Sequence, residues 1–211
     1  MIAMELSSLQ DLIENAGRRV FMRVDWEAYE ALDRMRGEKA KPRITYLDGV
    51  VELMVVSNDH ERIKGWIGNL VMHYCVARDI AIQPVGSWTL KSKNRNAAGE
   101  PDESYIFAGG PMKGPIQKAV PDLAIEVVWT SGGLKKLEVY RRLGVREVWN
   151  WIDDVLTVHV LVNDVYERRE RSECLPDLDL QFLLDLLASE TYNEAAKRMQ
   201  AYAAAQTPPS S

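Results

Sequence analysis

Pro121-Asp122-Leu123-Ala124-Ile125-Glu126-Val127-Val128, the segment Leu134 to Leu143, and then Gly144-Val145-Arg146-Glu147-Val148-Trp149-Asn150-Trp151-Ile152 decide the fold of this chain. The first stretch, 122–128, is a run of strand length that is apolar apart from Glu126. The second reads as a helix closed by Gly144, and the third, 145–152, as another strand. A strand–helix–strand unit implies a parallel pair joined by a crossover. The fold class is therefore α/β (an α+β mixed sheet) with helices on its faces.

Working outward, Asp25 is placed to cap a helix along which Trp26, Tyr29, Leu32 and Met35 recur, with Gly37 as its stop. The first 37 residues as a whole read as helical. Ile44-Thr45-Tyr46-Leu47, Asp48-Gly49 and Val50 to Val56 form a hairpin signal. Ser57-Asn58-Asp59 caps a long helix with Ile63, Trp66, Ile67, Leu70 and Tyr74 on its apolar face. The chain alternates as strand from about 80 to 91, and 93–99 reads as an exposed loop. Glu103 to Phe107 is a short strand, and Gly109 to Lys118 a loop rich in glycine, proline and lysine. Asp153-Asp154 and Asn163-Asp164 mark turns of a meander through 155–161 and 165–169. Helices follow at 181–188 and 191–205.

Composition excludes several classes. The 46% hydrophobic fraction of 211 residues supports one sizeable core. A net charge of -5 argues against wholesale nucleic-acid binding, although it leaves room for a local basic groove. Two cysteines, Cys75 and Cys174, sit in no motif, which suits a reducing cytoplasm. No HExxH or CxxC spacing points to zinc. No apolar run is of membrane-spanning length, so we expect no membrane association.

Three residues carry the chemistry: Asp102 in Glu100-Pro101-Asp102-Glu103, Glu126, and Lys136 in Leu134-Lys135-Lys136-Leu137. A carboxylate inside an apolar strand is unfavourable unless something compensates it. Strands lie about 5 Å apart, so Asp102 and Glu126 at one level can share a divalent cation. Magnesium takes one or two carboxylates and keeps several waters, and the Val127 carbonyl is a further candidate ligand. A lysine aimed there can position water or stabilise phosphate charge. Those parts suffice for metal-assisted phosphodiester hydrolysis. Simpler readings stand beside this one: Asp102 capping a turn, Glu126 and Lys136 forming a structural ion pair, Glu52 pointing outward, His60 and Glu61 serving a helix start.

The run Tyr46-Leu47-Asp48-Gly49-Val50-Val51-Glu52-Leu53-Met54, then Asp59-His60-Glu61-Arg62-Ile63, resembles the opening of the Uma-two family of restriction-endonuclease-like proteins. Glu100-Pro101-Asp102-Glu103, Pro121 to Val127, Leu137-Glu138-Val139-Tyr140 and Gly144 to Trp149 continue the resemblance over roughly 40–190. The family belongs to the PD-(D/E)XK nuclease-like superfamily. The resemblance implies a restriction-endonuclease-like core and magnesium-dependent cleavage of nucleic acid, DNA in the first instance, with manganese as a substitute ion. It makes Asp102 and Glu126 the paired acids. The usual lysine two residues after the second acid is Val128 here, and Lys136 from the following helix takes that role. Glu52, His60 and Glu61 match the family's early polar positions. Apart from the resemblance, Lys91, Lys93, Arg95, Lys113 and Lys118 lie in or near loops flanking Asp102 and are candidate phosphate contacts, with solvated loop charge as the simpler reading. We expect a cytoplasmic homodimer, because duplex cleavage needs two cuts. The alternative is a catalytically degraded nuclease fold acting as a nucleic-acid-binding or assembly module. The expected organisation is an N-terminal helical appendage (1–40), the nuclease domain (41–190), and a C-terminal helix with a flexible tail (191–211).

Overall fold

The computed structural model describes residues 19–37, 39, 41–107, 120–128 and 133–206. The strands are β1 (Arg19–Arg23), β2 (Arg43–Leu47), β3 (Val50–Met54), β4 (Gln83–Pro84), β5 (Leu90–Ser92), β6 (Ala97–Gly99), β7 (Glu103–Ile106), β8 (Leu123–Val128), β9 (Glu147–Ile152), β10 (Val155–Val162) and β11 (Val165–Arg169). The helices are α1 (Trp26–Arg36), α2 (Asn58–Ala77), α3 (Lys136–Leu143), α4 (Leu180–Leu187) and α5 (Tyr192–Ala205). One sheet has the order β1-β3-β2-β6-β5 and the other β11-β10-β9-β8-β7-β4.

The expected β8–α3–β9 unit is present, and β8 and β9 pair in parallel with Glu126 beside Asn150. Every other pairing is antiparallel. Leu123, Ile125 and Val127 point into a core shared with α2, α4 and α5. Ala124 points the other way, toward Val139 and Tyr140 of α3 and Leu90 and Ala97 of the first sheet. By the alternation of a strand, Glu126 lies on this second face.

Local chemistry explains the elements. Asp25 accepts from the Ala28 amide, Ser57 from His60, Asp179 from Gln181 and Phe182, and Thr191 from Glu194, each meeting donors that a helix start leaves free. Gly144 ends α3 at φ 82, where a side chain would be strained. Three hairpins reverse on Asp48-Gly49, Asp153-Asp154 and Asn163-Asp164, each with both residues at positive φ, a conformation that Asp and Asn tolerate. Trp26, Tyr29 and Tyr46 stack α1 on the first sheet with ring centroids 5.0–5.3 Å apart. Trp149 and Trp151 are core residues.

Three expectations need correction. Arg19–Arg23 is a strand rather than helix. It pairs with β3, and its alternation puts Val20 and Met22 against the α1 core while Phe21 stays 46% exposed. The earlier part of the expected helix, 1–18, falls outside the described residues, as do Lys113, Lys118 and 207–211. The strand expected over 80–91 is two short pieces, β4 and β5, because Pro84 and Gly86 interrupt the ladder. The expected loop at 93–99 is a tight turn followed by β6, buried by the small side chains Ala97 and Ala98.

One buried carboxylate holds the fold without touching the candidate site. Glu147 on β9 is fully buried and accepts from Trp149 Nε1 (2.6 Å), Ser172 Oγ (2.5 Å), the Glu173 amide (2.7 Å) and the Cys174 amide (3.0 Å). Glu147→Ala strands four donors at once. Urea denaturation should show a loss of about 3 kcal/mol or more; a change below about 0.5 kcal/mol would mean that the cage is not stabilising.

Candidate active site

Asp102 immediately precedes β7. Glu103 is opposite Ile125 in the β7–β8 ladder, and the Asp102 amide donates to Ile125 O at 3.1 Å. The same register places Asp102 across from Glu126, so the two carboxylates share a face of the sheet. Both are buried, at 2% and 4% exposure. The sequence reading required this convergence.

Each acid has its own partners. Asp102 Oδ2 accepts from the Val127 amide at 2.7 Å and meets His60 Nε2 at 3.0 Å. Its Oδ1 is 3.2 Å from Arg43. Burial opposes ionisation of Asp102, but the His60 hydrogen bond, the Arg43 charge and the Val127 amide outweigh it and hold the acid below its ordinary range. Burial likewise works against the His60 cation. Its hydrogen bond to Asp102 and the neighbouring Glu61 reverse that and raise it to about 9, so the ring is charged at neutral pH.

Glu126 is the opposite case. Burial pushes its carboxyl up to about 7; Lys136 restrains the rise and the Asp102 charge adds to it. Tyr140 donates a short hydrogen bond to Glu126 Oε1, and Lys136 Nζ stands 3.7 Å from the same oxygen. Among the described residues, the contacts to Glu126 fall on Oε1. Lys136 begins α3 and also reaches Glu100 O at 3.4 Å. Lys135 occupies the N-cap position and lines the same cleft; of the two lysines, Lys136 is the one in ion-pair contact with the acid among the described residues.

The early polar positions separate in role. His60 is buried behind Asp102. Glu61, more exposed, lies 3.7 Å from His60 Nδ1 and is lowered to about 2 by that contact. Glu52 is buried rather than outward-facing. It pairs with Arg19 at 3.0 Å and accepts from the Leu134 amide at 2.5 Å. It thereby ties the approach to α3, and with it Lys136, to the first sheet. Of the loop cations, Lys91 and Lys93 pair with Asp33 and Glu27 on α1, and Arg95 bonds Arg142 O on α3.

Arg43, Tyr140 and Asn150 are site residues that the sequence reading missed. Arg43 carried a signal, a lone cation opening the apolar run Ile44 to Leu47. Tyr140 stood in the sequence only as the end of the run Leu137 to Tyr140, and Asn150 becomes visible only through its register with Glu126. A cleft of about 380 Å³ opens on Glu126, Glu52, Val127, Val128, Lys136 and Asn150.

The donors present fit a hard divalent ion. Among the described residues no three His, Cys, Asp or Glu side chains converge as a metal cluster. Two carboxylates with added main-chain oxygen and water are what magnesium takes. Glu126, whose ionisation burial disfavours, lacks full compensation from Lys136 alone.

A family model described as "Uma2: Putative restriction endonuclease" matches residues 26–188. The chain belongs to the Uma2 family. Its antiparallel and mixed sheets and five described helices form a restriction-endonuclease-like fold. Comparison with curated proteins finds no match. The Uma2 match spans the whole set Glu52, His60, Asp102, Glu126 and Lys136. Among the described residues no helix is long and apolar enough to cross a membrane.

Proposed function

We propose that this Uma2 protein is a magnesium-dependent endonuclease that hydrolyses phosphodiester bonds of DNA. The observation that carries the reading is Lys136 Nζ, 3.7 Å from Glu126 in a chain whose usual lysine position is Val128. A cation supplied from the helix restores the acid–acid–lysine set.

Asp102, Glu126 and the Val127 carbonyl are the groups that would hold the ion. When bound, magnesium supplies a Lewis acid for the phosphate and lowers the pKa of a bound water. The chain's own residues do the rest. His60 and Arg43 fix the Asp102 carboxylate, and Tyr140 fixes that of Glu126. Lys136 sets a positive charge on the wall of the cleft, where it orients the attacking water or offsets charge growing on the phosphate. Glu52 holds that lysine in place through Leu134. A homodimer would bring two such sites to a duplex.

The test compares Lys136→Ala with Lys135→Ala on supercoiled plasmid in magnesium. Loss of the catalytic ammonium should slow nicking by about 10² to 10⁴-fold, while Lys135→Ala stays within about ten-fold. Manganese should replace magnesium, and a chelator should stop the reaction. Equal rates for wild type and Lys136→Ala would reject the reading and leave a binding or assembly module.

A further inference from the structure

We propose a phosphate-binding pocket on the far side of Arg43 from Asp102, taking a backbone phosphate of the nucleic-acid strand next to the one that is cut. Among the described residues, a cavity of about 530 Å³ is lined by five cations, Arg36, Lys39, Lys41, Arg43 and Lys64, and by two carboxylates, Glu61 and Glu100. Three of these cations are also matched from outside the lining, Arg36 by Asp33 at 2.8 Å, Arg43 by Asp102 at 3.2 Å and Lys64 by Glu103 at 3.5 Å, which leaves Lys39 and Lys41 as the local excess.

The carboxylates are already engaged. Glu100 is buried against Arg36 at 2.5 Å and accepts from Thr89 at 2.8 Å. Glu61 is shared among Lys64 at 3.4 Å, His60 at 3.7 Å and Arg43 at 3.8 Å. Among the described residues Lys39 and Lys41 have no carboxylate partner; Lys41 reaches only Val56 O, at 3.4 Å. Among the described residues the buried Nε atoms of Arg36 and Arg43 have no acceptor. Two ammonium groups without a carboxylate, beside the guanidinium groups of Arg36 and Arg43, favour an anion with several acceptor oxygens. Ser87 and Thr89 line the same wall, with their hydroxyl protons already given to Asp102 O and Glu100.

Arg43 joins this pocket to the site: one of its nitrogens is 3.2 Å from Asp102 and another 3.2 Å from Ser87 Oγ. Ser87 Oγ in turn donates to Asp102 O at 3.0 Å. A strand lying across Arg43 would place one phosphate in the pocket and another near the paired acids. The inference rests on the nuclease reading above, but its test does not use cleavage.

The experiment measures fluorescence anisotropy of a labelled duplex DNA oligonucleotide with chelator present, comparing wild type with the charge-reversed Lys39→Glu/Lys41→Glu. Both positions are exposed, so the fold is not at risk. The variant should bind at least about ten-fold more weakly at low salt, with a slope of log affinity against log salt shallower by about 1 to 2. Unchanged affinity and slope would overturn the inference even if magnesium-dependent nicking stands, and so would a wild type that binds no DNA. Inorganic phosphate that raises the wild-type melting temperature but not the variant's, with DNA binding equal in both, would make this a free-phosphate site and overturn the strand assignment. Normal DNA dependence on Lys39 and Lys41 alongside an unaffected Lys136→Ala would instead fault the catalytic assignment alone.

Discussion

Glu126→Gln should abolish plasmid nicking, by about 10³-fold or more, while making the metal-free protein more stable at pH 8. The two effects have one origin. Glu126 ionises near 4.5 when unfolded but near 7 in the fold, where burial disfavours its charge. Its folded pKa is raised, so the unfolded chain binds fewer protons across that interval. The contribution is fully present below 4.5 and is lost as pH rises through 7. At pH 8 the loss amounts to about 3 kcal/mol, which the neutral amide does not incur. Gln keeps an acceptor for Tyr140, so packing is little changed. Melting curves of metal-free protein from pH 4 to 9 should separate progressively, with the variant about 5–10 °C higher at pH 8. Magnesium should close that gap from the wild-type side by stabilising the ionised form. His60 adds its own loss of stability between 6.5 and about 9, but this is common to both proteins and cancels in the difference. Superimposable pH profiles would mean that Glu126 is not held in an unfavourable charged state.

Asp102→Ala should cost about 3–5 kcal/mol, the largest destabilisation expected at the site. Asp102 is depressed below its ordinary range, so its contribution is present above pH 3.8 and lost as the acid titrates below it. Removing it leaves the buried cations Arg43 and His60 with only the more distant Glu61 carboxylate, at 3.8 and 3.7 Å, and takes the acceptor from the Val127 amide. His60 then has burial working against its charge and only Glu61 in its favour. Its imidazole should therefore fall from about 9 toward or below its ordinary range, which proton NMR of the ring resonances would read. Asp102→Asn retains an oxygen for the Val127 amide and should be milder in urea denaturation at pH 7. Both variants should lose nicking. A His60 titration unchanged in Asp102→Ala would mean that this pair does not set the histidine's charge.

Much of this was legible in the sequence because it rests on local patterns. The apolar run around Glu126, the Gly144 stop and the strand after it specify a parallel pair, and the Asp-Gly, Asp-Asp and Asn-Asp reversals specify hairpins. The meeting of Asp102 and Glu126 could be expected because each sits in or beside a strand and neighbouring strands lie about 5 Å apart. What stayed hidden depends on distant partners. Arg19–Arg23 is a strand because β3 offers an edge, not because five residues insist on it. Glu52 is buried because Arg19 and the Leu134 amide converge on it from both sides of the chain, 33 residues before and 82 after. Arg43 could be flagged as a misplaced cation, yet only the fold shows that it stands between the acid and a basic cavity.

The two reversals at Asp153-Asp154 and Asn163-Asp164 have a consequence for the order of assembly. They let β9, β10 and β11 zip together from sequence neighbours, with little chain entropy to overcome. β8 reaches β9 only across the intervening helix, and β7 reaches β8 only across residues 107–122. The meander therefore serves as an early template, and the strands that bring the two acids together dock onto it late. The juxtaposition of the two acids is then among the last things the folding chain acquires, so a partly folded molecule emerging from the ribosome holds them apart.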